Sequence, residues 1–195
     1  MRKYSSTIKS RSFLFIELKN LCKCYLDGVD YSELKLKIIN ENLFQTESEN
    51  RRRELAPTVL KRLQALDSFL VNKIVSRDTG TGKVIAVFAI EKTDRLFHDF
   101  VTEVIADKFS VLDTYLTDRD FEHFFESKGQ QSEIVRAWKP YTLYKLKQVF
   151  IRILYEAGFL KSNSSNRELN RPLIDPEVRN YLLKIDSLSI GRCLA

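Results

Sequence analysis

The stretch KPYTLYKLKQVFIRILYEAGFL, Lys139 to Leu160, carries two stripes on one helical repeat. Leu143, Leu146, Phe150, Ile153 and Ala157 recur at helical spacing and form an apolar face, with Phe124 and Ile134 upstream as packing partners. Tyr141, Lys145, Gln148 and Arg152 recur at the same spacing on another face. Thr142 is the expected N-cap and Gly158 the expected stop. Upstream, DRDFEHFFESKG (118–129) runs from a capping Asp118 to Gly129, and QSEIVRAW (131–138) is a short second helix. Downstream, FLKSNSSNRELNRPLI (159–174) has two short extended pieces around a polar turn.

Helix, short helix, longer helix and hairpin is the order of a winged helix-turn-helix. In that fold the third helix enters the DNA major groove, about 12 Å wide, and the wing touches backbone. Lysine and arginine suit phosphate or guanine, and glutamine suits adenine. Tyr141, Lys145, Gln148 and Arg152 are therefore the expected DNA face, with Lys161 and Arg167 on the wing. Trp138, before the Lys139-Pro140 turn, is expected to be buried against Phe121, Phe124 and Leu143; the alternative is a ring exposed to a partner.

The rest of the chain is also punctuated as helices. Leu14, Leu18, Leu21 and Tyr25 mark one helix, stopped by Asp27-Gly28. Asp30 or Ser32 caps the next, with Leu34, Ile38, Ile39 and Leu43 as its stripe. A third, long helix carries Val59, Leu63, Leu66, Leu70 and Ile74, with Pro57 at its start or at a kink. SRDTGTGKV (76–84) is rich in breakers. The expected organisation is all-α with two small domains: a bundle over 1–76, a linker over 77–83, and a domain over 84–195 that ends in the winged helix-turn-helix-like unit. VIAVFAI (84–90) is either buried strand or buried helix, because an unbroken apolar run has no period. DPEVRNYLLKI (175–185) opens with Asp175 at the cap and Pro176 at the first helical position.

With 44% hydrophobic and 30% charged residues, the chain has the profile of a folded domain rather than a disordered one. Its longest apolar runs are far shorter than the ~20 residues of a membrane helix. Three sparse cysteines, Cys22, Cys24 and Cys193, suggest a reducing cytoplasm. The net charge of +6 is unevenly spread. Residues 1–63 hold 13 Lys+Arg against 8 Asp+Glu, residues 64–127 hold 7 against 12, and residues 128–195 hold 12 against 6. Two basic ends flank an acidic middle, which suggests a polyanionic partner. Arg51, Arg52, Arg53 and Arg62 are the expected N-terminal basic surface. Consecutive arginines point about 100° apart on a helix, so some are expected to pair with Glu47, Glu49 or Glu54 instead.

No catalytic or cofactor motif holds. TGTGK (79–83) lacks the glycine spacing and the following Ser or Thr of a phosphate loop. Cys22-Lys23-Cys24 is too tight for zinc pairing, and Cys22 reads as a small buried hydrophobe. His98 and His123 stand apart, and no nucleophile–base or carboxylate pair is evident. The expectation is a protein that is not an enzyme, with no cofactor, metal or small-molecule substrate.

The segment FEHFFESKGQQSEIVRAWKPYTLYKLKQVFIRILYEAGFL (121–160), the following RPLIDPEVRNYL (171–182), the start YSSTIKSRSFLFIELKNLCKCYLDG (4–28) and the arginine-led helix 51–63 resemble the BrxA family of BREX phage-defence systems. The shared features include the acidic-aromatic helix, Trp138, Thr142, LYEAG at 154–158 and Pro172. The resemblance implies an all-helical, cytoplasmic, non-enzymatic protein that binds double-stranded DNA beside other BREX components, which include a methyltransferase and ATPases. The alternative is an adaptor whose basic helical faces meet acidic partner proteins.

Overall fold

The computed structural model describes residues 3–11 and 13–195. After a 3-10 turn at Thr7–Ser10, four helices follow: α1 (Phe15–Leu26), α2 (Tyr31–Asn40), α3 (Glu49–Gln64) and α4 (Ser68–Ser76). Side-chain caps start three of them. Asp30, Ser48 and Asp67 each accept from the backbone N–H three residues on. The third expected helix is thus two, broken at Asp67. α3 begins eight residues before Pro57 and runs through it. Leu18, Leu21, Cys22, Leu34, Ile38, Val59 and Leu63 fill the space between α1, α2 and α3. Tyr25, by contrast, is exposed. Cys22 is fully buried, and desolvation pushes its thiol up to about 12, as expected of a packed hydrophobe.

Residues 77–83 are not a linker. Asp78 caps α5 (Thr79–Thr93), accepting from Thr81 N at 2.9 Å and from Thr81 Oγ1 at 2.6 Å. Val84–Ile90 is helix, and every one of its residues is buried. A helix that is apolar all round has to be covered on all sides; α1, α3 and α4 supply part of that cover. At Gly82 an added Cβ would lie 3.1 Å from the Phe15 ring, so the glycine lets α1 approach α5 closely. The breaker-rich sequence is therefore a cap and a close-packed first turn.

α6 (Arg95–Phe100), a π-helical turn (Val101–Ile105) and α7 (Ala106–Ser110) form one continuous helical segment. α8 (Asp118–Gln131), the single-turn α9 (Glu133–Arg136) and α10 (Pro140–Glu156) follow. α8 starts with a capping box between Thr117 and Asp120, one residue before the expected cap. α10 starts at Pro140 rather than being capped by Thr142, because proline sets the helical φ and lacks the N–H a cap would satisfy. Gly158, at φ +84°, ends it as expected. Phe100 sits at the centre of an aromatic cluster, with ring centroids 4.8 Å from Phe121, 5.1 Å from Phe124 and 5.2 Å from Phe150. Ile134 is exposed; its neighbour Val135 is the buried contact from α9.

The chain then returns through antiparallel bridges Leu160–Leu169 and Tyr115–Glu168, so the segment before α8 joins the small hairpin. α11 (Pro176–Ile185) is capped by Asp175, and α12 (Ile190–Leu194) ends the chain. α11 packs on α4: the Tyr181 ring lies tilted against that of Phe69, centroids 4.4 Å apart, and its hydroxyl donates to Asp67, while Lys73 pairs with Glu177. Asp175 N also donates to Thr81 Oγ1 at 2.9 Å. Elements on both sides of 77–83 therefore share one continuous apolar core. Among the described residues no helix is long and apolar enough to cross a membrane.

One buried polar cluster lies under α12. Glu91 of α5 is sealed from solvent, and its Oε2 accepts from Ser189 Oγ at 3.1 Å. Ser189 Oγ also reaches Asp186 Oδ1 at 2.9 Å, and Lys92 Nζ lies 3.2 Å from Asp186 Oδ2. Glu91 Oε1 has no hydrogen-bond partner. Burial, and then the charge of Asp186, push the Glu91 carboxyl well above its usual range. The folded state thus holds a proton that the unfolded chain releases near pH 4.3. Its contribution is present at low pH and is lost as pH rises toward the elevated folded value. Glu91→Gln should therefore raise the thermal midpoint by roughly 2–8 °C at pH 8 and by much less near pH 4. Thermal melts across that range check the sign.

Candidate nucleic-acid interface

Lys139 is extended before Pro140, which starts α10. Tyr141 is 68% exposed and Tyr144 51%, unusual for aromatic side chains on a helix whose other face is sealed. Lys145 Nζ lies 5.5 Å from the Tyr141 ring centroid and 5.8 Å from that of Tyr144. It also donates to Gln148 Oε1 at 3.2 Å, and Gln148 Nε2 donates to Tyr144 Oη at 2.9 Å. These four side chains form one linked patch of ammonium, amide and phenol. Tyr144 was not singled out from the sequence; its position, one turn after Tyr141 and beside Lys145, is the signal that could have found it. Arg152 continues the face, with Nε 3.7 Å from Glu156, beside a cleft walled by Phe13, Leu14 and Lys83.

The α8 start is tied to this helix from below. Asp118 Oδ2 lies 2.9 Å from Lys147 Nζ, and Asp118 also pairs with Arg167. The hydrogen bond from Lys147 is the largest of the effects that hold the Asp118 carboxyl below its usual value. Arg167 does not stand on the wing surface. It is buried, with Nε donating to the Leu116 carbonyl at 2.9 Å and Nη1 to the Ser164 carbonyl at 3.2 Å. It pins the hairpin to the α8 entry. Lys161 is exposed and meets Glu168 at 2.5 Å across the bridge. The turn between them, residues 162–166, carries only serine and asparagine.

The N-terminal arginines are likewise drawn into the fold. Arg62 is buried and donates to the carbonyls of Phe13 at 2.6 Å and Arg11 at 2.9 Å. Its place among the expected surface residues is corrected: α3 needs it to hold the segment that enters α1. Arg51 bonds Glu54 and the Ser10 carbonyl, both within 2.8 Å. Arg52 bonds the Ile39 and Thr46 carbonyls and so closes the α2–α3 loop. Arg53 pairs with Glu49 at 2.6 Å. The three point in different directions, as their spacing requires, and two pair with glutamates named from the sequence.

Trp138 is half-buried rather than sealed, and lines an apolar groove of about 590 Å³ with Phe125, Val135 and Leu143. Glu122, Glu126, Arg136 and Lys147 bring charge to its lining. Tyr144 belongs to both surfaces: it lines the groove and accepts from Gln148 in the α10 patch, so the two adjoin along this side chain. Among the described residues no group of three or more His, Cys, Asp or Glu side chains could hold a metal ion.

These placements separate structural cations from presented ones. Arg167→Ala should cost about 1–3 kcal/mol, because the Leu116 carbonyl loses its buried donor. Arg152→Ala should stay within about 0.5 kcal/mol of the parent. Urea unfolding of both variants tests the difference.

A curated BREX protein BrxA from Bacillus cereus (strain H3081.97) is 49% identical over 179 residues, covering 92% of this chain and 90% of that protein. A second BREX protein BrxA, from Paramagnetospirillum magneticum (strain ATCC 700264 / AMB-1), is 26% identical over 98% of this chain and 96% of its own length. A crystal structure of an uncharacterized protein from Magnetospirillum magneticum superposes with a TM-score of 0.81, covering 99% of this chain and 98% of that one at 23% identity, which shows the shared fold. The BrxA family model matches residues 2–186, nearly the whole chain, and the chain belongs to the BrxA family.

Proposed function

We propose that this chain is a non-enzymatic, cytoplasmic, double-stranded DNA-binding accessory protein of a BREX-type phage-defence system. The single observation that carries the DNA reading is the linked, outward patch of Tyr141, Tyr144, Lys145 and Gln148 on α10. It stands on the third element of the α8–α9–α10 order, followed by an antiparallel return at Leu160–Leu169, the order of a winged helix-turn-helix. In this reading α10 enters the major groove. Gln148 is the adenine reader, Lys145 and Arg152 contact phosphate or guanine, and the tyrosine hydroxyls position the helix on backbone. Lys161 and the uncharged 162–166 turn lie along the flanking backbone. Glu122 and Glu126 of α8 share the groove with Tyr144 and so mark the edge of the duplex contact, since carboxylates repel phosphate. Arg51, Arg52 and Arg53 already have intramolecular partners, so this reading gives them a secondary role.

The groove at Trp138 favours an adaptor role as well. A half-buried aromatic in an apolar groove is the usual anchor of a protein–protein contact, and other BREX components are the natural candidates.

Gel shifts with duplex DNA at several salt concentrations test the main reading. The Lys145→Ala/Arg152→Ala double variant should lower the slope of log affinity against log salt by about 2, near 0.9 per lost phosphate contact. Unchanged binding by the folded double variant would remove this face from DNA recognition. Binding confined to another BREX component, with a shift in Trp138 fluorescence and no affinity for duplex, would leave the adaptor role alone.

A further inference from the structure

A pocket of about 480 Å³ lies between the N-terminal segment, α3 and the α5–α6 junction and shares no lining residue with the α10 patch. Small-molecule sites typically fall between ~300 and 1,000 Å³. The charged lining is lopsided: Lys3, Arg11, Lys61, Arg62 and Arg95 face Asp94 alone. The fold offsets part of this excess. Arg11 Nε lies 3.5 Å from Glu54, and Arg95 Nε lies 3.9 Å from Asp99 with its guanidinium 4.1 Å over the Tyr4 ring. Lys3 and Lys61 have no ion pair among the described residues.

Arg62 makes the inner wall. Burial lowers its pKa to about 10, which still leaves it cationic at neutral pH. Its hydrogen bonds to the Arg11 and Phe13 carbonyls go to neutral acceptors. The charges of Asp94 and Glu17 act on Arg62 and offset part of its own, but it sits in a concave, desolvated place where a bound anion is screened least. Burial raises the Asp94 carboxyl from its usual value, while the Phe97 N–H that it caps and the charge of Arg62 act the other way. Thr7 and Thr58 line the same walls and bring hydroxyl donors.

We propose that this pocket binds the phosphoryl group of a small phosphorylated molecule, of the size of a nucleoside diphosphate. Lys3 and Lys61 close on the phosphate oxygens from the solvent side, and Arg62 supplies positive potential from within. A duplex offers the same phosphate chemistry, but on a convex rod whose backbone meets ridges. A recessed site enclosed by three segments suits a free ligand.

Thermal melts of the full chain with pyrophosphate, ADP or a short duplex, against potassium chloride at matched ionic strength and without divalent metal, test this site. Pyrophosphate and ADP at millimolar concentration should raise the midpoint by a few degrees. Lys3→Ala/Lys61→Ala should lose that shift, and its midpoint in buffer should match the parent because both side chains are exposed. Lys145→Ala/Arg152→Ala should keep the shift, which separates this pocket from the α10 face. No shift of the parent by pyrophosphate or ADP overturns the proposal. If only the duplex shifts the parent, and the lysine pair lowers the DNA salt slope by about 2, the lining serves nucleic-acid backbone and the small-molecule assignment falls.

Discussion

The burial of α5 is the constraint on which the rest of the molecule depends. Seven consecutive apolar residues, Val84–Ile90, lie in a helix with no polar stripe to show to water. Such a helix is stable only when neighbours cover it on every side. α1, α3 and α4 cover it from the N-terminal half, and α6 and α10 from the C-terminal half. The close approach at Gly82, the Asp78 cap and the bond from Asp175 to Thr81 all serve that enclosure. The two halves of the sequence thereby share one core instead of folding as beads on a string.

Much of the charge in this basic chain is used inside the fold. Lys128 of α8 is buried against the ring of Phe124 and pairs with Glu103 and Asp99. Burial alone would lower its pKa, but the Glu103 bond and the Asp99 charge raise it, so it stays charged. Tyr4 donates to the same Asp99 at 2.7 Å, which ties the N-terminal segment to α6 and α8. Arg62 and Arg167 clamp chain entries in the same way. A buried ion that loses its partner is costly, about 3–5 kcal/mol, so these cations act as staples. What they leave for a partner is a smaller set, concentrated on the first turns of α10 and around the mouth of the N-terminal pocket.

That economy bears on function. A net charge of +6 by itself points only to polyanions in general. The cations that the fold does not use internally leave one aromatic-flanked patch on α10, which adjoins the apolar groove at Trp138 through Tyr144, and the N-terminal pocket. Tyr144 joins the cationic face of α10 to the apolar groove, an arrangement that suits contact with two partners. Membership of the BrxA family, shown across nearly the whole chain, gives those partners a biological frame.

The sequence by itself determined the all-helical class, most of the helix stops and caps, the buried stripe of α10 and the family. These are local or periodic properties: Asp175-Pro176, Gly158 and the Leu146–Phe150–Ile153 spacing act within a few residues. Tertiary structure decided the rest. VIAVFAI has no period of its own, so only the neighbours that enclose it make it a helix. TGTGK reads as a linker because glycine and threonine are breakers, yet close packing against Phe15 needs that small residue at Gly82. Arginine is equally plausible on a surface or under a loop, and its long side chain reaches carbonyls distant in sequence, as Arg167 does at Leu116 and Arg62 at Phe13. Which cations are staples and which are presented is therefore fixed by contacts between segments far apart in the chain, beyond the reach of any local pattern.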